Sequence, residues 1–364
     1  MRGTHSRILT TITALLALQL GSLVAPAYAC GCGAMIPDKA ERIGVDREES
    51  AVRWDGRTET VVMRFNVHGN ARRAAWIMPV PSRADVRLGD PALFDELGRL
   101  AEPEQRDRHY FWPREGDWPF DGDNGDGAAA APPGAGSGVG VVGRERLGPF
   151  DVARLTATDP DALGDWLRTN GFELPERLSG ALRPYVERKW EYVAVRLAPQ
   201  EKGATLHGEL TPLRVAFASS ELVYPMRLSR LARTPQTLGL YVLADHRMEP
   251  RSPIGGDRPE VTFAGRIERP GSAVAELAGD RPVRLTVLEQ EFPHPERIDD
   301  DHHLRTVADT PYREVEYTDR LLTVGGGIPV WLLTVGGGLL LAALFAVRGK
   351  RRRSGKPSGV RSPA

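Results

Sequence analysis

Apolar residues mark both ends of this chain and alternate with polar ones between them. Ile328–Val347 holds twenty residues and no charge, and Arg348, Lys350, Arg351, Arg352 and Arg353 follow at once. At about 1.5 Å per helical residue such a run spans roughly 30 Å, the hydrocarbon thickness of a bilayer. Near the start, Ile8–Val24 is apolar behind Arg2 and Arg7, and Ala27-Tyr28-Ala29 supplies small residues at −3 and −1 of a cleavage site. That is the pattern of a secretory signal over 1–29. An uncleaved anchor is the alternative, but Thr10, Thr11, Thr13 and Gln19 interrupt the apolar stretch. A signal followed by a stop-transfer span with a basic flank predicts a single-pass type I protein whose basic tail lies in the cytoplasm.

Between the ends the segments are short. Thr58–Val67 alternates as a strand does, and Ala74–Val80 is a second strand, stopped by Pro79 and Pro81. Leu93, Phe94, Leu97 and Leu100 repeat at helical spacing over Pro91–Leu100, with Asp90 as N-cap. Arg144–Thr156 reads as a strand. Asp159-Pro160 opens a helix that buries Leu163, Trp166 and Leu167 and ends at Asn170-Gly171. A helix around Pro175–Lys189 leads into a strand at Tyr192–Leu197. Leu213–Phe217, Gly239–Leu243, Val261–Ile267 and Val283–Leu288 are further strands. The expected fold class is α+β: a mostly antiparallel sheet with a few helices, plus one C-terminal transmembrane helix.

Two stretches break the pattern. Asp121–Gly143 is rich in Gly, Ala, Pro and Asp and reads as a linker or long insertion. Its Asp-Gly start fails as an EF-hand, because the fifth position is Gly125 and the sixth Asp126. Tyr110–Phe120 is dense in aromatics; it is either a loop folded back on the core or a stacking platform for a sugar or Pro-rich peptide. The expected organisation is 1–29 signal, 30–120 and 144–320 as the two parts of the ectodomain, 121–143 linker, 321–347 membrane region with its core at 328–347, and 348–364 cytoplasmic tail.

Composition is globular, with 41% apolar and 26% charged residues, and 39 Gly and 29 Pro favour turns and strands over a helical bundle. The net charge of zero hides an asymmetry. Seven bases follow Val347 and two lie in the leading segment, which leaves 39 bases against all 48 acids, a net of −9. An acidic body excludes nucleic acid as a partner. The lipid bilayer is the partner that the ends imply.

Cys30 and Cys32 are the only cysteines, and cleavage after Ala29 makes Cys30 the first residue. A strained disulfide, a bridge between chains, a soft-metal pair and lipidation of Cys30 all compete for them. Lipidation fits poorly, since Ala27 and Tyr28 stand where a lipoprotein signal wants Leu and a small residue. His294, His302 and His303 lie among Asp299, Asp300 and Asp301 and are weak zinc candidates, because adjacent residues rarely ligate one ion. A polar loop or stalk near the membrane is the expected structure there. No Gly-x-Ser-x-Gly, His-Glu-x-x-His, P-loop or dinucleotide motif occurs, so the sequence implies no cofactor. Leu321–Gly327 recurs as Leu332–Gly338 at an offset of eleven, so the two copies share a face if the helix begins near Leu321. Gly336, Gly337 and Gly338 are then candidates for helix self-association, beside the reading of a plain hydrophobic anchor.

Several separated segments together resemble a family. They are Cys30-Gly31-Cys32 after a signal, Ala74–Pro81, Asp161-Ala162-Leu163 with Trp166-Leu167 and Gly171-Phe172, Leu210–Arg214, and Tyr224–Leu228. In that order they resemble the bacterial family called domain of unknown function 2330, in an actinomycete form. The resemblance implies no activity, and many members space the first cysteines more widely. The leading expectation is a cell-envelope binding or assembly protein with an envelope protein or glycan ligand. The alternative is an extracytoplasmic thiol- or metal-dependent enzyme using Cys30 and Cys32.

Overall fold

The computed structural model describes residues 33–38, 41–114, 117, 146–147, 150–155, 160–199, 203–279 and 281–354. The signal segment, the cysteine pair and the 121–143 stretch lie outside the described residues. In chain order the first elements are β1 Ala34–Pro37, β2 Ile43–Trp54, β3 Thr58–Gly69, β4 Ala74–Val80, β5 Ala84–Leu88, helix α1 Leu93–Ala101 and β6 Glu104–Tyr110. Next come β7 Arg146–Leu147, β8 Phe150–Leu155, α2 Pro160–Thr169, α3 Glu176–Glu187, β9 Glu191–Leu197, β10 Gly208–Glu209, β11 Leu213–Ala218 and β12 Val223–Tyr224. The rest are β13 Gln236–Ala244, β14 Met248–Pro250, β15 Glu260–Arg266, α4 Ser272–Ala278, β16 Arg284–Phe292, β17 His302–Thr306, β18 Tyr312–Arg313, β19 Val315–Leu321, β20 Thr323–Val324, β21 Ile328–Pro329 and α5 Val330–Ser354.

The chain forms two compact units, residues 1–103 with 139–314, and residues 104–138 with 315–364. In the first, a five-stranded sheet (β1-β4-β9-β8-β7) and a larger sheet (β18-β15-β16-β13-β2-β3-β11-β5, with β10 beside β3) lie on the two sides of one core. Trp76, Met78, Val193 and Val195 enter that core from the smaller sheet, and Val52, Val61, Met63 and Leu240 from the larger. The other face of the smaller sheet, through Ala75 and Ile77, meets Leu163 and Leu167 of α2 and Leu178, Leu182 and Tyr185 of α3. The other face of the larger sheet, through Ala51, Val62, Leu243 and Leu285, meets Leu93, Phe94 and Leu97 of α1 and Val274 and Leu277 of α4. The order is helix, sheet, sheet, helix. This explains why β4 reads as an unbroken apolar run: all seven of its residues are buried, because both faces are covered.

The α+β expectation holds, and among the described residues pairing is antiparallel except for β13 with β2 and β19 with β6. Two details differ from the sequence expectation. The Arg144–Thr156 strand is two short strands, since β7 and β8 pair antiparallel and the chain reverses between them. Asp90 Oδ1 accepts from Ala92 N at 2.8 Å, but the helix itself starts at Leu93. β4 pairs with β9 and β3 with β11, so strands from before and after the 121–143 stretch share sheets.

In the second unit β6 and β19 form a parallel ribbon laced by ion pairs, Arg108 with Asp319 at 2.6 Å and Arg320 with Asp107 at 3.0 Å. The expected helix start near Leu321 is overturned. Thr323–Val324 pairs with Ile328–Pro329 as a hairpin, and Gly325, Gly326 and Gly327 turn it at φ of 45°, 83° and 94°, which glycine alone adopts freely. The two Leu-Leu-Thr-Val-Gly-Gly-Gly copies therefore take different structures, strand and turn in the first and helix in the second, and do not share a face. Helix α5 is long and apolar enough to cross a membrane, and only 6% of its apolar window is buried.

Candidate functional site

The side chains with the most demanding chemistry converge where β12 and β17 pair, Tyr224 opposite His302 and Val223 opposite His303. Asp301, just before β17, is 1% exposed. Its Oδ1 accepts the Tyr185 hydroxyl at 2.6 Å, the Met226 N–H at 2.8 Å and the Arg227 N–H at 3.1 Å. The last two open the 3-10 turn Arg227–Leu231, whose first N–H groups have no partner within the turn. Oδ2 accepts from Arg227 Nε at 3.3 Å and lies 3.8 Å from Arg188 Nη1. Arg227 also pairs with Asp300 and donates to the Asp299 carbonyl at 2.9 Å. Burial, then the charge of Asp301, pushes the Tyr185 phenol far up, so Tyr185 stays a neutral donor.

Next to this clamp, five polar side chains occupy the core between the sheets. Tyr224 donates to Glu48 on β2, and Ser50 Oγ lies 2.6 Å from the Tyr224 oxygen and 3.2 Å from Glu48 Oε1. Glu59 on β3 is fully buried and accepts the Val223 N–H at 3.2 Å, and Glu59 Oε1 has no hydrogen-bond partner among the described residues. Burial, only partly offset by that N–H, raises its carboxyl well above the ordinary range, so it is a neutral acid. His302 is 1% exposed, and neither ring nitrogen has a hydrogen-bond partner among the described residues. Burial, then the neighbouring His303, lowers its pKa to about 3.

The expected site residues scatter. The polar loop expected around His302 and His303 is instead strand β17, paired with both β12 and β14. Alternation there turns His302 and Leu304 toward the core, where Leu304 is 2% exposed. His294 stands apart, exposed and 3.5 Å from Glu296. Asp300, Asp301 and His303 do bring three donor atoms within 4.8 Å of one another. Arg227 already neutralises both carboxylates there, so a divalent ion would have to displace a guanidinium held by backbone and side chains. The arrangement fits a structural clamp better than a metal centre. Gly336, Gly337 and Gly338 lie in α5, and a Cβ on any of them would meet nothing within 4 Å.

The sequence reading missed Asp301, Tyr185, Arg227, Glu48 and Glu59 as a connected set. Asp301 is 116 positions from Tyr185 and 74 from Arg227, so spacing carries no trace of the clamp. The one signal was the Tyr224–Leu228 segment, which stood out only through the family resemblance.

Fold and site together define a two-sheet α+β sandwich braced by buried acid clusters, with one long apolar helix at the other end of the chain. The profile of a family described as uncharacterized proteins conserved in bacteria, domain of unknown function 2330, matches residues 26–305, and the chain belongs to that family. The match covers the whole clamp and stops before β18, β19 and α5. No curated protein and no solved structure matches the chain.

Proposed function

We propose that this chain is a single-pass type I membrane protein that holds its sandwich outside the cytoplasm as an envelope binding or assembly protein. The observation that carries the reading is α5: eighteen uncharged residues from Val330 to Val347, apolar all round, followed by Arg348 and Lys350. A core helix of a soluble protein would bury one face, whereas Leu339, Leu340, Leu344 and Phe345 are all more than half exposed. A binding role agrees with a site whose acids are spent on holding turns and strands together. The small residues Gly336, Gly337 and Gly338 would allow close approach of a second α5, hence self-association in the bilayer. The binding role is tested by co-sedimenting the detergent-solubilised full chain with membrane-free cell-wall fragments from a family-bearing bacterium. Saturable retention above that of an unrelated acidic protein is expected; retention equal to the control overturns it.

A further inference from the structure

The uncharged stretch of the second unit is longer than its helix. No charged residue occurs from Leu321 to Val347, yet the helix begins only at Val330. The nine residues before it include the β20–β21 hairpin, whose cross-strand neighbours Val324 and Ile328 are 46% and 47% exposed. Cross-strand partners point to one face, so these two side chains form one apolar patch. The end of β6 is tied to the same place. Leu322 N donates to the Tyr110 carbonyl at 2.8 Å, and Val330 N donates to the Leu322 carbonyl at 2.9 Å. Phe111 and Trp112 follow Tyr110 directly, edge to face with centroids 5.1 Å apart, and Trp112 is 64% exposed.

Polarity changes abruptly at this level. On the ribbon side Asp319 pairs with Arg108 and with Arg114, and Arg114 covers the Tyr110 ring at 4.1 Å. On the helix side there is no charge until Arg348. Length gives a second argument. The eighteen uncharged residues of α5 span about 27 Å, slightly less than the roughly 30 Å of a hydrocarbon core. The shortfall of a few ångströms places the hairpin and the Phe111–Trp112 pair at the boundary between headgroups and acyl chains. Trp prefers that depth because its ring is apolar and its N–H is wet.

We infer that Phe111, Trp112, Val324 and Ile328 form a collar that inserts into the outer leaflet of the bilayer around the start of α5. The inference rests on the reading that α5 spans a membrane. It makes the Phe111–Trp112 pair neither part of a loop folded on the core nor a platform for sugars, but a lipid contact that sets the depth of the anchor.

The test uses the full chain carrying 5-fluorotryptophan in phosphatidylcholine nanodiscs. Trp76→Phe, Trp112→Phe and Trp331→Phe assign three of the seven fluorine resonances. One sample contains phosphatidylcholine with a doxyl group near the headgroup, and a second a water-soluble gadolinium chelate. The expected result is that the doxyl lipid removes more than half the intensity of both Trp112 and Trp331, while the core residue Trp76 keeps its signal. If Trp331 is bleached by the lipid and Trp112 only by gadolinium, the collar is wrong and the span stands. If the lipid affects neither, α5 is outside the bilayer and both readings fall.

Discussion

Replacing Asp301 by alanine should be among the most damaging single changes in the sandwich. The side chain accepts four hydrogen bonds and is sealed from solvent. Its loss strands two buried donors that water cannot reach, the Tyr185 hydroxyl and the Met226 N–H. Each orphaned donor costs about 1–3 kcal/mol. Arg227 and Arg188 are 21% and 39% exposed in their side chains, so they recover hydration and add little. The expected loss is therefore about 3–5 kcal/mol, the range found when one partner of a buried ion pair is removed. Tyr185→Phe deletes a single donor and leaves Asp301 three, so it should cost only about 1 kcal/mol. In the double variant the Tyr185 change should cost nothing and recover about 1–3 kcal/mol, because it removes the donor that Asp301→Ala orphans. Urea unfolding of the detergent-solubilised full chain reads this by tryptophan fluorescence, since Trp190 lies 5.2 Å from the Tyr185 ring. A loss below about 0.5 kcal/mol for Asp301→Ala, or full additivity with Tyr185→Phe, would refute the clamp.

His302 and Glu59, both buried and titratable, predict opposite responses to pH. His302 has its folded pKa depressed from 6.5 to about 3, so the unfolded chain binds the extra proton; stability is full above pH 6.5 and falls toward pH 3 by about 1.4 kcal/mol per pH unit. His302→Leu should flatten that slope in acid denaturation curves, and an unchanged slope would rule out His302 as its source. Glu59 has its folded pKa raised, so its cost is absent below pH 4.5 and grows as the pH rises. Glu59→Gln should therefore be more stable than the parent at pH 7 by a margin that shrinks at pH 4; a constant margin would contradict a neutral buried acid. For the anchor, Leu at Gly336 and Gly337 should weaken helix association in an in-membrane dimerisation reporter by about 1–2 kcal/mol, and an unchanged signal would leave α5 a plain anchor.

Strands with alternating or fully apolar patterns, such as Thr58–Gly69 and Ala74–Val80, were legible because burial and period coincide. The central strand β2 was not. Its Asp-Arg-Glu-Glu-Ser stretch looks solvent-facing, yet Glu48 and Ser50 are buried, satisfied by Tyr224 from far along the chain. The His302–His303 segment misled for the same reason: hydrophilic residues suggest a loop until a cross-strand partner and a core face are known. The glycine repeat misled because identical residues take strand, turn or helix according to what flanks them. Ion pairs on the β6–β19 ribbon precede the first copy, and apolar residues suited to a membrane follow the second. The acid clamp left no local signal, since its members meet only through β12 and β17.

In the proposed topology one helix separates a folded outer body from a basic inner tail. Protease added to intact cells that express the chain with a C-terminal tag measures this directly. The expected result is loss of the sandwich and a protected tagged fragment of α5 with its tail, which disappears only when the membrane is permeabilised. A sandwich that stays intact until permeabilisation would contradict it.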